Sequence, residues 1–158
     1  MYKRQDANDA TNAEPTASNV NQDATVVGGG IMGNTVQEFS KVMDIETNPS
    51  LPLIDRLNAI SIDGAVGISQ VLPSTGIKPG FQLASIFDLA DNAGMPYSAK
   101  NEAEATRLLK NEMLNKQFGF NYYAMLKDRY NGNVEKSLIG YNAGPDVADK
   151  WNLSLIHI

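Results

Sequence analysis

Between Asn101 and Tyr130 the apolar residues fall at helical spacing, and alternating strand-like patterns are scarce elsewhere in the chain. Ala105, Leu109 and Met113 recur at four-residue intervals, and Leu108, Phe118, Tyr122, Met125 and Leu126 continue the stripe. Side chains spaced this way share one face of a helix, which must be buried against other elements. Gly119 and Asn121 are weak helix formers inside the run and predict a break into two helices. Asn131-Gly132 is a turn signal, and Val134 to Tyr141 reads as a short apolar helix ended by Asn142-Ala143-Gly144-Pro145.

The N-terminal half gives shorter signals of the same kind. Val36, Phe39, Val42, Met43 and Ile45 predict a helix over Thr35 to Glu46, with Asn34 or Thr35 as its cap and Asn48-Pro49 beyond its end. Leu51 to Ala59, interrupted by Pro52, reads as a short helix or an ordered loop. Gly64 to Gly76 reads as a turn, a short helix and a second turn at Pro73-Ser74-Thr75. Phe81 to Ala90 is a further short helix or a collapsed loop. The predicted class is mainly α.

A chain of 158 residues with 42% hydrophobic residues can bury one ordinary core. It contains no cysteine, which excludes a disulfide framework, a thiolate metal site and a cysteine nucleophile. Its single histidine, His157, is next to the C-terminus, so neither a Ser-His-Asp triad nor a His-rich metal site is available inside the domain. Acid–base work falls to carboxylates, Lys or Tyr, and neither a metal nor a cofactor is expected. The net charge of −5 counts against a dedicated nucleic-acid binder. No apolar run reaches the roughly 18 residues of a membrane span.

Both ends have an unusual origin as their expected reading. Met1-Tyr2-Lys3-Arg4-Gln5 and Leu153-Ser154-Leu155-Ile156-His157-Ile158 match translations of opposite strands of one sequencing-library transposon adaptor. Residues 1–5 and 153–158 are therefore expected to be read-through, with the last helix cut short near Asn152, and are set aside from fold reasoning. Asp6 to Thr25 is polar and too poor in large apolar residues to offset its ordering entropy, which predicts a linker arm.

Gly28, Gly30 and Gly33 form a Gly-x-Gly-x-x-Gly pattern that brings backbone close to a pyrophosphate in dinucleotide-binding folds. That use needs a strand before it and a βαβ unit after it. Upstream there is only Ala24-Thr25-Val26-Val27 after a polar tract, and downstream the chain runs into Asn48-Pro49-Ser50. A glycine hinge is the preferred reading. The expected organisation is an arm and hinge over 1–33 and a helical domain over 34–152.

Two inner motifs carry a more specific signal. The first is Asn58-Ala59-Ile60-Ser61-Ile62-Asp63-Gly64-Ala65-Val66-Gly67-Ile68-Ser69-Gln70-Val71-Leu72-Pro73-Ser74-Thr75. It resembles the Asn-x-x-Ser-x-x-Gly-Ala-x-Gly-(apolar)-x-Gln-(apolar)-x-Pro-x-Thr signature of the soluble lytic transglycosylases, relatives of goose-type lysozyme. The second, Gly140-Tyr141-Asn142-Ala143-Gly144-Pro145 with Trp151 beyond, is similar to that family's Ala-Tyr-Asn-Ala-Gly-Pro motif. A helix ending in Leu126 to Gly132 separates them, and the helix ending at Glu46-Thr47 resembles the one that carries the family's catalytic Glu-Ser pair. The resemblance covers about Phe39 to Trp151. Lys78-Pro79-Gly80-Phe81 is similar to phage variants.

The resemblance implies a lysozyme-like helical domain that cleaves peptidoglycan glycan strands. It implies Glu46 as the catalytic residue and Ser61, Gly67, Gln70, Tyr141 and Asn142 as substrate-binding residues. It also implies a virion component acting in the periplasm or cell wall, with other virion proteins as partners, or alternatively a bacterial periplasmic protein. The physical chemistry agrees: a Glu at the end of an apolar helix facing a cleft loses hydration, which disfavours its charged form and suits a general acid. One carboxylate suffices when the sugar's own 6-hydroxyl is the nucleophile, whereas the common glycosidase pattern needs two.

Each binding residue also has a plainer reading. Tyr141 suits a core position, Gln70 suits a partner for backbone groups, and Asn142 suits a helix end. The family's Glu lies closer to the Asn-x-x-Ser element than Glu46 does here. An ungapped match puts Pro52 in its place, so an insertion around Ser50 to Arg56 is expected. The alternatives to a transglycosylase are a muramidase that uses water and a non-catalytic glycan-binding or virion structural module.

Overall fold

A computed structural model describes residues 31–151, with side chains described from Asn34 onward. The adaptor-like ends, the polar arm and the first two glycines of the Gly-rich pattern lie outside the described residues. Eight helices are found among those described: α1 Ile31–Glu46, α2 Leu53–Asn58, α3 Pro73–Ile77, α4 Ile86–Asn92, α5 Glu102–Leu109, α6 Glu112–Arg129, α7 Val134–Ala143 and α8 Pro145–Lys150. The only β pairings among the described residues are two isolated antiparallel bridges, Ile60 with Val66 and Val66 with Val71. No parallel sheet follows Gly33 there, and Gly33 itself is in the first turn of α1. The nucleotide-binding reading therefore has no structural support.

Helix α6 is the central post and packs against α1, α4, α5 and α7. Leu114, Phe118, Tyr122 and Leu126 repeat every fourth residue and are fully buried, and Phe120 and Tyr123 are buried on other faces of the same helix. Burying each of these large side chains contributes on the order of 2 kcal/mol. The break expected at Gly119 and Asn121 is absent, because α6 runs through both. At Gly119 an added Cβ would collide with the Ser69 hydroxyl and the Phe39 ring, so glycine here permits close packing and is tolerated within the helix. The long apolar stripe is instead divided at Lys110–Asn111, where Asn111 caps α6 by accepting from the Leu114 N–H at 3.0 Å.

Side-chain caps set three other helix starts. Ser85 and Asp88 make a reciprocal capping box at α4. Asn101 accepts from the Glu104 N–H at α5, and Asn133 from the Lys136 N–H at α7. At α1 the expected cap is overruled: the helix begins upstream at Ile31, and Thr35 is fully buried within it. Only Phe39 and Val42 of its apolar set are deeply buried; Val36 and Ile45 are exposed. Met113 likewise leaves the core stripe and is half exposed. The Gly64 to Gly76 segment also differs from expectation. Gly64 to Leu72 is a bridged loop, and the helix starts at Pro73, which suits the first helical turn because its missing N–H has no partner to lose there.

The core runs from Phe39 and Val42 of α1, through Val66 and Val71 of the loop, to α4, α5, α6 and Tyr141 of α7. Tyr141 meets Phe39, Tyr122 and Tyr123 edge-on, with ring centroids 6.1, 6.2 and 6.2 Å away. Beside this cluster Lys127 pairs with Glu38 at 2.7 Å, and the Tyr123 hydroxyl donates to the same carboxylate at 3.0 Å. No described helix is long and apolar enough to cross a membrane.

Candidate active site

Glu46 is the last residue of α1 and is half-buried. The helix end is fixed by the next residue. The Thr47 N–H donates to the Met43 carbonyl at 3.0 Å, and the buried Thr47 hydroxyl reaches the Ile68 carbonyl, also at 3.0 Å. The second contact joins α1 to the loop carrying the Gly-rich motif.

That loop is a folded unit. Val66 and Val71 exchange backbone hydrogen bonds, and the Gly67 N–H donates to Ala59. Ser61 closes its neck: its N–H donates to the Ala65 carbonyl at 2.9 Å, and its hydroxyl oxygen accepts from the Ala65 N–H at 3.0 Å. Gly67 has φ +82 and faces α6, where an added Cβ would strike the Asn115 amide and the Leu109 carbonyl. The close approach that Gly67 permits is thus to α6. Gln70 is also inward: it is buried, with φ 54, and its amide donates to the carbonyls of Gly67 at 2.9 Å and Ala59 at 3.3 Å.

Asn115, which sequence reasoning missed, anchors the loop. It is fully buried, accepts from the Ser69 N–H at 3.0 Å and hydroxyl at 2.6 Å, and donates to Val66 and Leu109. Its signal was present as a polar residue inside the apolar helix, but a bare Asn has no spacing that points to a partner. Arg56 was missed too. It donates to the Thr47 hydroxyl at 3.0 Å and to the Met43 carbonyl at 3.1 Å.

Tyr141 meets the loop from the other side. Its hydroxyl donates to the Ser69 carbonyl at 2.8 Å. Burial holds its proton well above the ordinary tyrosine value, and the negative charge of Glu46 adds to that effect. Asn142 follows on the last turn of α7 and is exposed. Of the residues expected from sequence, Glu46, Tyr141 and the loop from Ser61 to Gln70 converge. Within that group Ser61, Gly67 and Gln70 hold the loop's own structure, and Asn142 presents to solvent. Among the described residues no three acidic or histidine side chains cluster as a metal site.

The described domain is mainly helical, as a lysozyme-like domain is, and a carboxylate ends the helix joined to its Gly-rich loop. The family model for the transglycosylase SLT domain matches residues 56–154, and the chain belongs to that family, whose members are lytic transglycosylases acting on peptidoglycan. The match takes in Ser61, Gly67, Gln70, Tyr141 and Asn142 and begins downstream of Glu46. No curated protein and no solved structure gives a match to the chain.

Proposed function

We propose that the domain cleaves the β-1,4 bond between MurNAc and GlcNAc and closes a 1,6-anhydro ring on the MurNAc, with Glu46 as acid and then base. The supporting observation is the position of Glu46: half-buried at the end of a pinned helix, with its charge acting on the buried Tyr141 hydroxyl. In the first step protonated Glu46 gives its proton to the glycosidic oxygen as the bond from C1 to that oxygen breaks. In the second the 6-hydroxyl oxygen attacks C1, and its proton passes to the Glu46 carboxylate. The acid is regenerated and no water is consumed.

In this reading the loop from Ser61 to Gln70 forms the cleft wall as a rigid unit, and Asn142 contacts the glycan from its exposed position. The Gln70 amide donors are engaged within the loop, so Gln70 acts mainly by shaping that wall. The site of action is where peptidoglycan lies, the periplasm or cell wall. A virion component is the proposed carrier, resting on the resemblance at Pro79-Gly80-Phe81.

Digestion in heavy-oxygen water tests the reaction. Transglycosylation leaves glycan ends without solvent oxygen and inert to borohydride. Incorporation of label at C1, with reducible ends, would replace the proposal with a hydrolase.

A further inference from the structure

We infer that Arg56 is a positioning residue for the acid, holding the turn that carries Glu46 against the Gly-rich loop; the inference rests on the reading of Glu46 as acid. Between the end of α1 and the Gly-rich motif, the segment from Thr47 to Asn58 carries the short helix α2. Its helix α2 buries none of its residues deeply, and Leu53 and Ile54 are 48% and 63% exposed. Apolar burial therefore does little to hold α2 in place.

Arg56 supplies the attachment. Its side chain is only 12% exposed. The Nε donates to the Thr47 Oγ1 at 3.0 Å, and Nη2 donates to the Met43 carbonyl and the Asp44 carboxylate, both at 3.1 Å. All three partners belong to the last turn of α1 or the residue that follows it. A cation at a helix C-terminus is favoured by the carbonyls that converge there, and the planar guanidinium engages one of them together with the Thr47 hydroxyl and the Asp44 carboxylate in one fixed arrangement.

The contact continues into the site. Thr47 Oγ1, which accepts from Arg56, donates to the Ile68 carbonyl at 3.0 Å. The next carbonyl, that of Ser69, accepts from Tyr141. The backbone just past Glu46 is thus held on one side by the loop and on the other by Arg56. Because a misplacement of about 1 Å costs a catalytic group roughly a hundredfold, a fixed helix end bears directly on the rate. With its donors engaged by Thr47, Met43 and Asp44, Arg56 acts through Thr47.

Steady-state cleavage of soluble peptidoglycan strands by the full chain tests the role, with circular dichroism confirming the fold of each variant. Arg56→Met is expected to lower kcat by roughly ten- to a hundredfold with KM within about twofold, the signature of a group acting only in the transition state. Arg56→Lys keeps a charged donor without the fork and recovers part of the loss. Thr47→Val is expected to lower kcat similarly, and adding Arg56→Met to it to cost little more, because both act through one contact. Unchanged kcat in folded Arg56→Met overturns the role, as does a raised KM at full kcat or full additivity with Thr47→Val. Glu46→Gln, measured alongside, separates the two claims. Its full activity removes the acid assignment itself, whereas an inactive Glu46→Gln beside a fully active Arg56→Met removes only the role of Arg56.

Discussion

The Tyr141 hydroxyl donates to the Ser69 carbonyl at 2.8 Å, joining the start of one family motif's Tyr-Asn pair to the middle of the other. Two segments distant in the chain are thereby held at one point, next to the helix end that carries Glu46. Tyr141→Phe keeps the ring contacts and removes that hydrogen bond, leaving a buried carbonyl without its partner. The expected cost is about 1–2 kcal/mol of stability. If Glu46 is the acid, catalysis is expected to fall by about tenfold or more, because the loop joined to the end of its helix loses this anchor. Chemical denaturation and a peptidoglycan turnover assay read the two effects. Wild-type values in both would remove Tyr141 from the site.

Asn115 satisfies four loop and helix groups at once: the Ser69 N–H and hydroxyl, and the Val66 and Leu109 carbonyls. Asn115→Ala leaves them without this partner in a fully buried place. The loss is expected to be about 3 kcal/mol or more, measured by urea unfolding. A loss below about 1 kcal/mol would show that the loop does not depend on this side chain.

Asn121 is the opposite case. It is buried, and among the described residues neither its amide nitrogen nor its oxygen has a hydrogen-bond partner. An Asn121→Leu change removes two unmet polar atoms and adds apolar surface to the middle of α6. It is expected to stabilise the fold by about 1 kcal/mol, seen as a higher thermal midpoint. A lower midpoint would mean that the amide is satisfied in solution.

Three tyrosines set the alkaline limit. Burial is the largest cause of a raised pKa at Tyr123, Tyr130 and Tyr141, with Tyr130 pushed up to about 12 and helped by its hydrogen bond to Asp149. A phenol whose pKa rises on folding contributes its stability in full below the unfolded value and loses it as pH climbs through the folded one. For Tyr130 that window runs from about 10 to about 12. Thermal midpoints are expected to fall steeply above pH ~10, together with the appearance of tyrosinate absorbance. Ionisation of Tyr123, Tyr130 or Tyr141 in the folded protein at the ordinary phenol pH, read from resolved ring resonances, would contradict the buried placement.

Much of the fold was legible because it rests on helical periodicity, which the α6 and α7 residues display over several turns. Its boundaries were less so. Gly119 reads as a helix breaker in isolation, and only the proximity of Ser69 and Phe39 shows that it is a packing site. Pro73 reads as a turn but opens a helix. What was legible was the pairing of two motif segments, the loop holding Ser61, Gly67 and Gln70 with the helix holding Tyr141 and Asn142, because each motif marks its segment. The function of those residues within the loop was not, since Gln70 and Gly67 point inward for reasons of backbone hydrogen bonding and helix contact. Asn115 and Arg56 act across long separations, and no local pattern marks them.

The central claim is that Glu46 carries the acid–base chemistry. Purified peptidoglycan digested by the wild type and by Glu46→Gln, with released fragments resolved by mass spectrometry, tests it most directly. The account predicts anhydro-MurNAc ends from the wild type and a rate at least about a hundredfold lower from the folded variant. Equal release of anhydro ends by the two proteins would contradict it.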